Sequence, residues 1–373
     1  MESVVPELLS AVERYRLVDE WANGVELSGY PAVPALIERG RRVPAIRPAL
    51  RCGAATLTYG ELFERMARGT AAGRCEASLD GAVRLLADIA AAANSGAALT
   101  LSMPTGPNET ASTIGLRADA LAAAVDDRRA VTTDCRAGHI DPAQGTTNIR
   151  LLATAWTCAD TAVELLAAIA DGATLVVATE AQRHDPAALA DLVADTGATH
   201  VVAEAAVLAR FADTAAVPLP TVRRWDVTGT RCPAILPDLL RELAPGSVAG
   251  FAYTAPEYAG VVARGPLDGS GRVRPIPGAR VLVLDAYLRP VAPGRSGRIY
   301  LGGTALAAEI DADAAPFVAD PFVAGARLCR TGISGRWTAD GWLTFATGDI
   351  VTEHEATGSD LGVNATIFPE IAA

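Results

Sequence analysis

The sequence predicts an α/β protein with a small antiparallel β unit toward its C-terminal end. Between about residues 80 and 205, helix-period stretches alternate with short apolar runs, the rhythm of βα units around a largely parallel sheet. From about Arg272 the pattern changes to short strands between Pro/Gly turns. The chain has 373 residues, half of them hydrophobic and a fifth charged, enough to bury a large core and unlike a disordered composition.

The elements follow in order. Pro6 to about Trp21 reads as a helix with Leu8, Leu9, Val12 and Leu17 on one side, then a turn at Gly29-Tyr30-Pro31 and a helix over Val33 to Arg41. Helices are expected at Ala82–Ala93, Thr161–Ala170 and Pro186–Asp195, and strands at Ala97–Leu101, Thr174–Ala178 and Thr199–Ala203. The β unit contains Arg280–Asp285, Gly297–Leu301 and Trp342–Phe345. These shifts divide the chain into a helical linker-like segment (1–33), an α/β core (34–271), the β unit (272–345) and a tail (346–373).

Composition narrows the function. The formal charge of −11 disfavours nucleic acid as a partner, because the arginines occur singly or in pairs and form no basic run. All 32 basic residues are arginine, so no lysine is available to grip a phosphate or form a Schiff base. The six cysteines lack C-x-x-C spacing, which gives no metal pattern and no disulfide framework. With no signal peptide and no apolar run of spanning length, the expected location is cytoplasmic, away from any membrane.

Several segments then resemble one family in a consistent order. Leu57-Thr-Tyr-Gly-Glu-Leu62 is similar to the opening L-T-Y-x-E-L of adenylate-forming enzymes. Ser95-Gly-Ala-Ala98, Asp171-Gly-Ala-Thr-Leu175, Arg274-Pro-Ile-Pro-Gly278, Gly297-Arg-Ile-Tyr-Leu-Gly-Gly303, Phe317-Val-Ala-Asp-Pro-Phe322 and Arg330-Thr-Gly332 continue the series. Over residues 8–345 the chain resembles a truncated, degenerate adenylation domain of a nonribosomal peptide synthetase, in the ANL superfamily of AMP-binding folds. The resemblance implies two α/β subdomains and a small β-barrel, with the C-terminal subdomain absent.

The departures from the family concern the nucleotide. The phosphate loop aligns with Pro104-Thr105-Gly106-Pro-Asn-Glu109-Thr-Ala-Ser112, which has lost most of its glycines and its lysine and gained a carboxylate. Y-G-P-T-E reads Tyr253-Thr-Ala-Pro-Glu257, so the resemblance keeps the adenine-stacking tyrosine and the magnesium-side glutamate. In Cys329-Arg-Thr-Gly-Ile333 the ribose aspartate has become Ile333. The hinge pattern is not recognisable near Phe345–Asp349. Each missing electrostatic contact costs about 3 kcal/mol of transition-state stabilisation, so adenylation is expected to be negligible.

The resemblance places the substrate pocket around Trp156, Ala159, Val163, Val202, Glu204, Asp226, Thr228, Ala252, Tyr253, Gly260 and Val261. Ala159 stands where the family has the aspartate that binds the substrate amino group, and Asp160 follows it. Asp160 either restores that contact by a one-residue slip or caps the following helix. Asp226 is either an acid/base whose pKa is raised by burial or a strand-end carboxylate bonded to backbone N–H groups. His200 and Cys158 read as structural residues. No metal or cofactor is expected.

Two functions lead the readings of this sequence, ahead of a residual weak ATP binder that Tyr253 and Glu257 would allow. One is a non-adenylating pseudoenzyme of an antibiotic-type peptide pathway that binds a carrier-tethered aminoacyl intermediate, a peptidyl carrier protein or another synthetase domain. The other is an ATP-independent enzyme using the old acyl pocket for hydrolysis, cyclisation or elimination on an aminoacyl or peptidyl thioester, with Asp226 and Asp160 as its candidate catalytic residues.

Overall fold

The computed structural model describes residues 9–24, 29–69, 77–103, 112–136, 148–156, 159–213, 218–229, 232–255, 257–311 and 317–345. The expected tail and the phosphate-loop residues Thr105 and Gly106 lie outside them, as does Cys158.

The chain opens with α1 (Ala11–Tyr15), capped by Ser10 and Glu13 in a reciprocal capping box and continued by wider π-type turns over Arg16–Glu20. After α2 (Val33–Arg41) comes the hairpin β1 (Pro48–Cys52) and β2 (Ala55–Thr58). The family-like Leu57–Leu62 segment has a local physical role. Thr58 and Glu61 form the capping box that starts α3 (Tyr59–Arg68), and the buried Tyr59 hydroxyl donates to the Ala173 carbonyl at 2.8 Å. Ser78 caps α4 (Leu79–Ser95), which ends at Gly96 in the left-handed conformation. Next come β3 (Leu99–Met103), β4 (Ser112–Leu116) and α5 (Ala118–Arg136).

The central α/β stretch contains β5 (Ile149–Ala153), α6 (Ala159–Ala170), β6 (Thr174–Val177), α7 (Glu180–His184), α8 (Pro186–Thr196), β7 (His200–Glu204), α9 (Ala205–Ala209), β8 (Arg224–Thr228), α10 (Leu236–Leu243) and β9 (Val248–Thr254). Helix α6 is buried on all sides except at Asp160, as its apolar sequence requires. The hairpin β10 (Val261–Pro266) and β11 (Arg274–Pro275) closes a nine-stranded sheet in the order β11-β10-β9-β8-β7-β5-β6-β1-β2. Its middle is parallel and both edges are antiparallel.

The β unit follows as β12 (Ala279–Leu284), β13 (Gly297–Gly303), β14 (Glu309–Asp311), β15 (Phe317–Ala319), β16 (Arg327–Trp337) and β17 (Leu343–Phe345). Five of these strands form one antiparallel sheet. β14 instead pairs with β4, completing the small sheet β14-β4-β3. The fold is thus the N-terminal core expected of an adenylation domain. Arg280 pins the opening helical segment to the β unit, donating to the Val18 carbonyl, to Asn23 and to the buried Asp320 at 2.8–2.9 Å. Among the described residues no helix is long and apolar enough to cross a membrane.

Candidate functional site

The site lies where α5 and α6 pack against the C-terminal ends of β7, β8 and β9. Seven of the predicted pocket residues line one cavity there: Val163, Val202, Asp226, Thr228, Ala252, Gly260 and Val261. Asp160 lines it too, one helical turn before Glu164. Gly260 is needed: its φ is +76°, and a Cβ would sit 3.3 Å from that of Ala124 and 3.4 Å from Val163.

Four other predicted residues lie elsewhere. Trp156 and Ala159 are buried in the core beside the cavity without lining it. Glu204 forms an ion pair with Arg183 at 3.3 Å. Tyr253 is fully buried, with its ring 4.7 Å from that of Phe345.

Charge fills the floor of the pocket. Arg128 of α5 bridges Glu164 of α6 and Asp226 of β8, and all three are buried. Arg224 holds Asp226 from two residues upstream, at 2.6 Å. Arg264 pairs with Asp127 at 2.8 Å and approaches Asp226 at 4.0 Å. On the far side of Glu164, Arg150 pairs with Asp171 at 2.5 Å, and Arg129 shares that carboxylate at 2.6 Å. The space left is about 20 Å³, room for a water or two and not for an aminoacyl side chain.

The surroundings of Asp226 match neither alternative in full. Its partners are guanidiniums rather than backbone N–H groups. Burial pushes its carboxyl up, but Arg128, Arg224 and Arg264 outweigh that and hold it far below the usual carboxylate range. The expected upward shift is therefore reversed, and an anion held so firmly is a poor proton carrier.

Asp160 is in the first turn of α6, inside the helix rather than at its N-cap. Burial and the nearby Glu164 raise its pKa to about 7, against the opposing pull of Arg264, Arg128 and a hydrogen bond with Thr254. His200 is held neutral, its pKa lowered to about 3 by burial and by Arg150 and Arg128.

The nucleotide side fits its ligand no better. Phe345 packs on the ring of Tyr253, the face the resemblance assigns to adenine. Ile333 is a half-buried apolar residue in β16 where a ribose carboxylate would stand, and Ser112 begins β4. Among the described residues no group of three or more metal-ligating side chains comes together. The described residues on this side thus offer neither a free ring on Tyr253 nor a carboxylate at Ile333.

Sequence reasoning missed Ala124, Arg128, Glu164, Thr254 and Arg264, which complete the pocket lining. A signal was present. Glu164 is the one charge after the first turn of an otherwise apolar helix, and Arg150 is the one charge in β5. A lone charge in a buried element calls for an opposite charge elsewhere in the fold.

Comparison with known proteins identifies the family. The AMP-binding enzyme family model matches residues 123–309, half of the chain. CymA of Salinispora arenicola, described as a probable non-canonical nonribosomal peptide synthetase, is 40% identical over 190 residues, covering 49% of this chain and 2% of that protein. Novobiocin biosynthesis protein H of Streptomyces niveus is 40% identical over 193 residues, covering 49% of this chain and 31% of that protein. The chain therefore spans less than a third of the length of these relatives.

Among solved structures, the AMPPNP-bound synthetase FmoA3 aligns with 91% of this chain and 45% of its own, at a TM-score of 0.73 and 20% identity. The N-terminal subdomain of Klebsiella oxytoca NpsA aligns with 85% of this chain and 98% of its own, at a TM-score of 0.62 and 16% identity. At these identities the likeness is one of fold. The matched family model makes this chain a member of the AMP-binding enzyme family, and its relatives and shared fold mark it as a nonribosomal-peptide-synthetase adenylation-like core.

Proposed function

We propose that this chain is a non-adenylating adenylation-domain-like protein of a nonribosomal peptide pathway, where it binds a peptidyl carrier protein or another synthetase domain. One observation carries the reading: the amino-acid pocket is occupied by the protein's own ion pairs. Arg128, Glu164 and Asp226 fill its floor, and an incoming aminoacyl group would have to displace a buried charged network. That favours recognition of a partner's surface over capture of an aminoacyl intermediate in the pocket. The cover of Phe345 over Tyr253 and the complete lack of lysine support the loss of adenylation. The relatives' roles in novobiocin and peptide biosynthesis support the pathway, and an NpsA structure built as an adenylation–PCP fusion supports the class of partner. A cytoplasmic location suits such a partner.

ATP–pyrophosphate exchange across the amino acids is the direct test. No exchange above a protein-free control is expected, and clear exchange with any amino acid would overturn the reading.

A second reading rests on Asp160 alone, a carboxyl with a pKa near 7 at the edge of the cavity and suited to proton transfer in an ATP-independent reaction. Mass spectrometry of carrier-bound intermediates, with and without the protein and in the absence of ATP, separates the two. The binding reading expects unchanged masses. A mass change that disappears in Asp160→Asn would establish the enzyme instead.

A further inference from the structure

Residues 279–345 carry seven arginines against six acids, while the rest of the chain nets −12. The arginines of this region divide by environment. Arg280 is buried on Asp320, and Arg327 stacks on Phe317 and donates to the Ala308 carbonyl.

Arg298, Arg330 and Arg336 are exposed and share one face of the five-stranded sheet. Arg330 is paired across from Tyr300, two residues along β13 from Arg298. Arg298 lies across from Ser334, two residues along β16 from Arg336. Both are thus diagonal neighbours of Arg298, Arg336 at about 7–8 Å and Arg330 across the register shift between Arg298 and Tyr300. No ion pair or hydrogen bond joins any of the three guanidiniums to another described residue.

Among the described residues, the acids of the unit lie in other turns or in another sheet. Asp320 is buried under Arg280, Asp285 accepts from Tyr287 and Arg289 N–H groups in its own turn, and Asp340 accepts from Thr338. Glu309 and Asp311 belong to β14 in another sheet. Leu284 pairs with Arg298 on one side and with Pro290 on the other, so Arg289, stacked on the exposed Tyr287, lies beyond β12 and outside this row.

Like charges placed side by side on a sheet repel one another. A row of guanidiniums with no carboxylate paired to it among the described residues complements an acidic surface from outside. We infer that the face of Arg298, Arg330 and Arg336 is the docking surface for the acidic face of a carrier-protein partner. The inference rests on the proposed carrier-binding function. Guanidiniums suit it because they pair with carboxylates in two-pronged geometry.

The test is calorimetric titration of the full chain with the purified carrier domain of the same pathway, in its apo and phosphopantetheinylated forms, at several salt concentrations. The variants are R298E/R330E/R336E and the milder R298Q/R330Q/R336Q. All three positions are exposed, so unchanged melting temperatures are expected for both. Charge reversal is expected to weaken binding by about tenfold or more at low salt, with the neutral variant between it and wild type. The difference should shrink as ionic strength rises. Equal loss for apo and holo carrier indicates carboxylates as the ligand, whereas loss confined to the holo form would indicate the phosphate arm and overturn the inference.

Wild-type affinity in both variants would overturn the docking face and leave the carrier-binding function standing. No carrier binding by the wild type would overturn both. Tighter binding by the reversed variant would mean that this charge is answered within the chain or by a second copy, and would also overturn the inference.

Discussion

Arginine is buried in two regions of this molecule, and the regions differ in what answers its charge. In the pocket, Asp226 is surrounded by guanidiniums, and Arg128 is shared between two carboxylates. At the junction of the opening helical segment with the β unit, Arg280 meets one carboxylate and two neutral oxygens. Asp320 there also accepts from the Phe322 and Val323 N–H groups. The pocket is a network of full charges that stand or fall together, whereas the junction is a clamp backed by peptide dipoles. A network of that kind replaces a ligand; a clamp only attaches a segment.

The largest expected effect breaks the network. Asp226→Asn leaves Arg128 and Arg224 buried against a neutral amide and should cost about 3–5 kcal/mol in urea denaturation. The wild type should also show the pH dependence of a depressed carboxyl. Stability from Asp226 is complete above the unfolded pKa near 4 and is lost as pH falls toward its much lower folded value. The variant should lack that acid-side loss. Asp226→Asn is accordingly a stability variant, and a loss of pathway function in it would not indicate catalysis.

The junction should lose less. Arg280→Met removes three hydrogen bonds from a charged donor but leaves Asp320 its two backbone partners, so about 2–3 kcal/mol is expected. Hydrogen exchange should localise the change to residues 11–23 and β12, with the nine-stranded sheet unaffected. Exchange that accelerated throughout the sheet would mean that the junction and the pocket belong to one cooperative unit.

How legible these two regions were in the sequence follows from what each requires. Helix α2 has its predicted bounds because local signals fix both ends. The family's spacing located Val163, Val202, Asp226, Thr228, Ala252, Gly260 and Val261, since they occur at ordered positions along strands and one helix. The charged floor was not legible. Arg128 and Asp226 are 98 positions apart, and only the packing of α5 against α6 and β8 brings them together. Strand β14 escaped for the same reason: its three residues form a strand only because β4, far upstream, offers them an edge. Local pattern shows that a charge is out of place; topology is needed to find its partner.

Asp160 sharpens the comparison from within the pocket, because it is the one carboxyl there with a raised pKa. An acid whose folded pKa is near 7 and whose unfolded pKa is near 4 binds protons preferentially in the native state. Stability should therefore fall as pH rises through that window. Asp160 is partly exposed, so screening reduces the effect, and about 1–2 kcal/mol is expected between pH 4 and pH 7. Asp160→Asn should flatten this slope and be slightly more stable than wild type at pH 8. A steeper slope in the variant would place the titration on another group.

The smallest effect concerns the nucleotide side, where no buried charge is at stake. Phe345→Ala exposes the ring of Tyr253 that packs against it at 4.7 Å. If Phe345 were the only obstacle, the variant would recover measurable ATP affinity by stacking adenine on that tyrosine. The resemblance puts Ile333 at the ribose position, and the 373 residues include no lysine to meet the phosphates, so uncovering one aromatic face supplies neither contact. Isothermal titration with ATP and magnesium should give no heat beyond dilution for wild type and Phe345→Ala alike. Saturable binding by the variant would show that a single side chain separates this fold from its nucleotide, and that the adenine side was covered rather than dismantled.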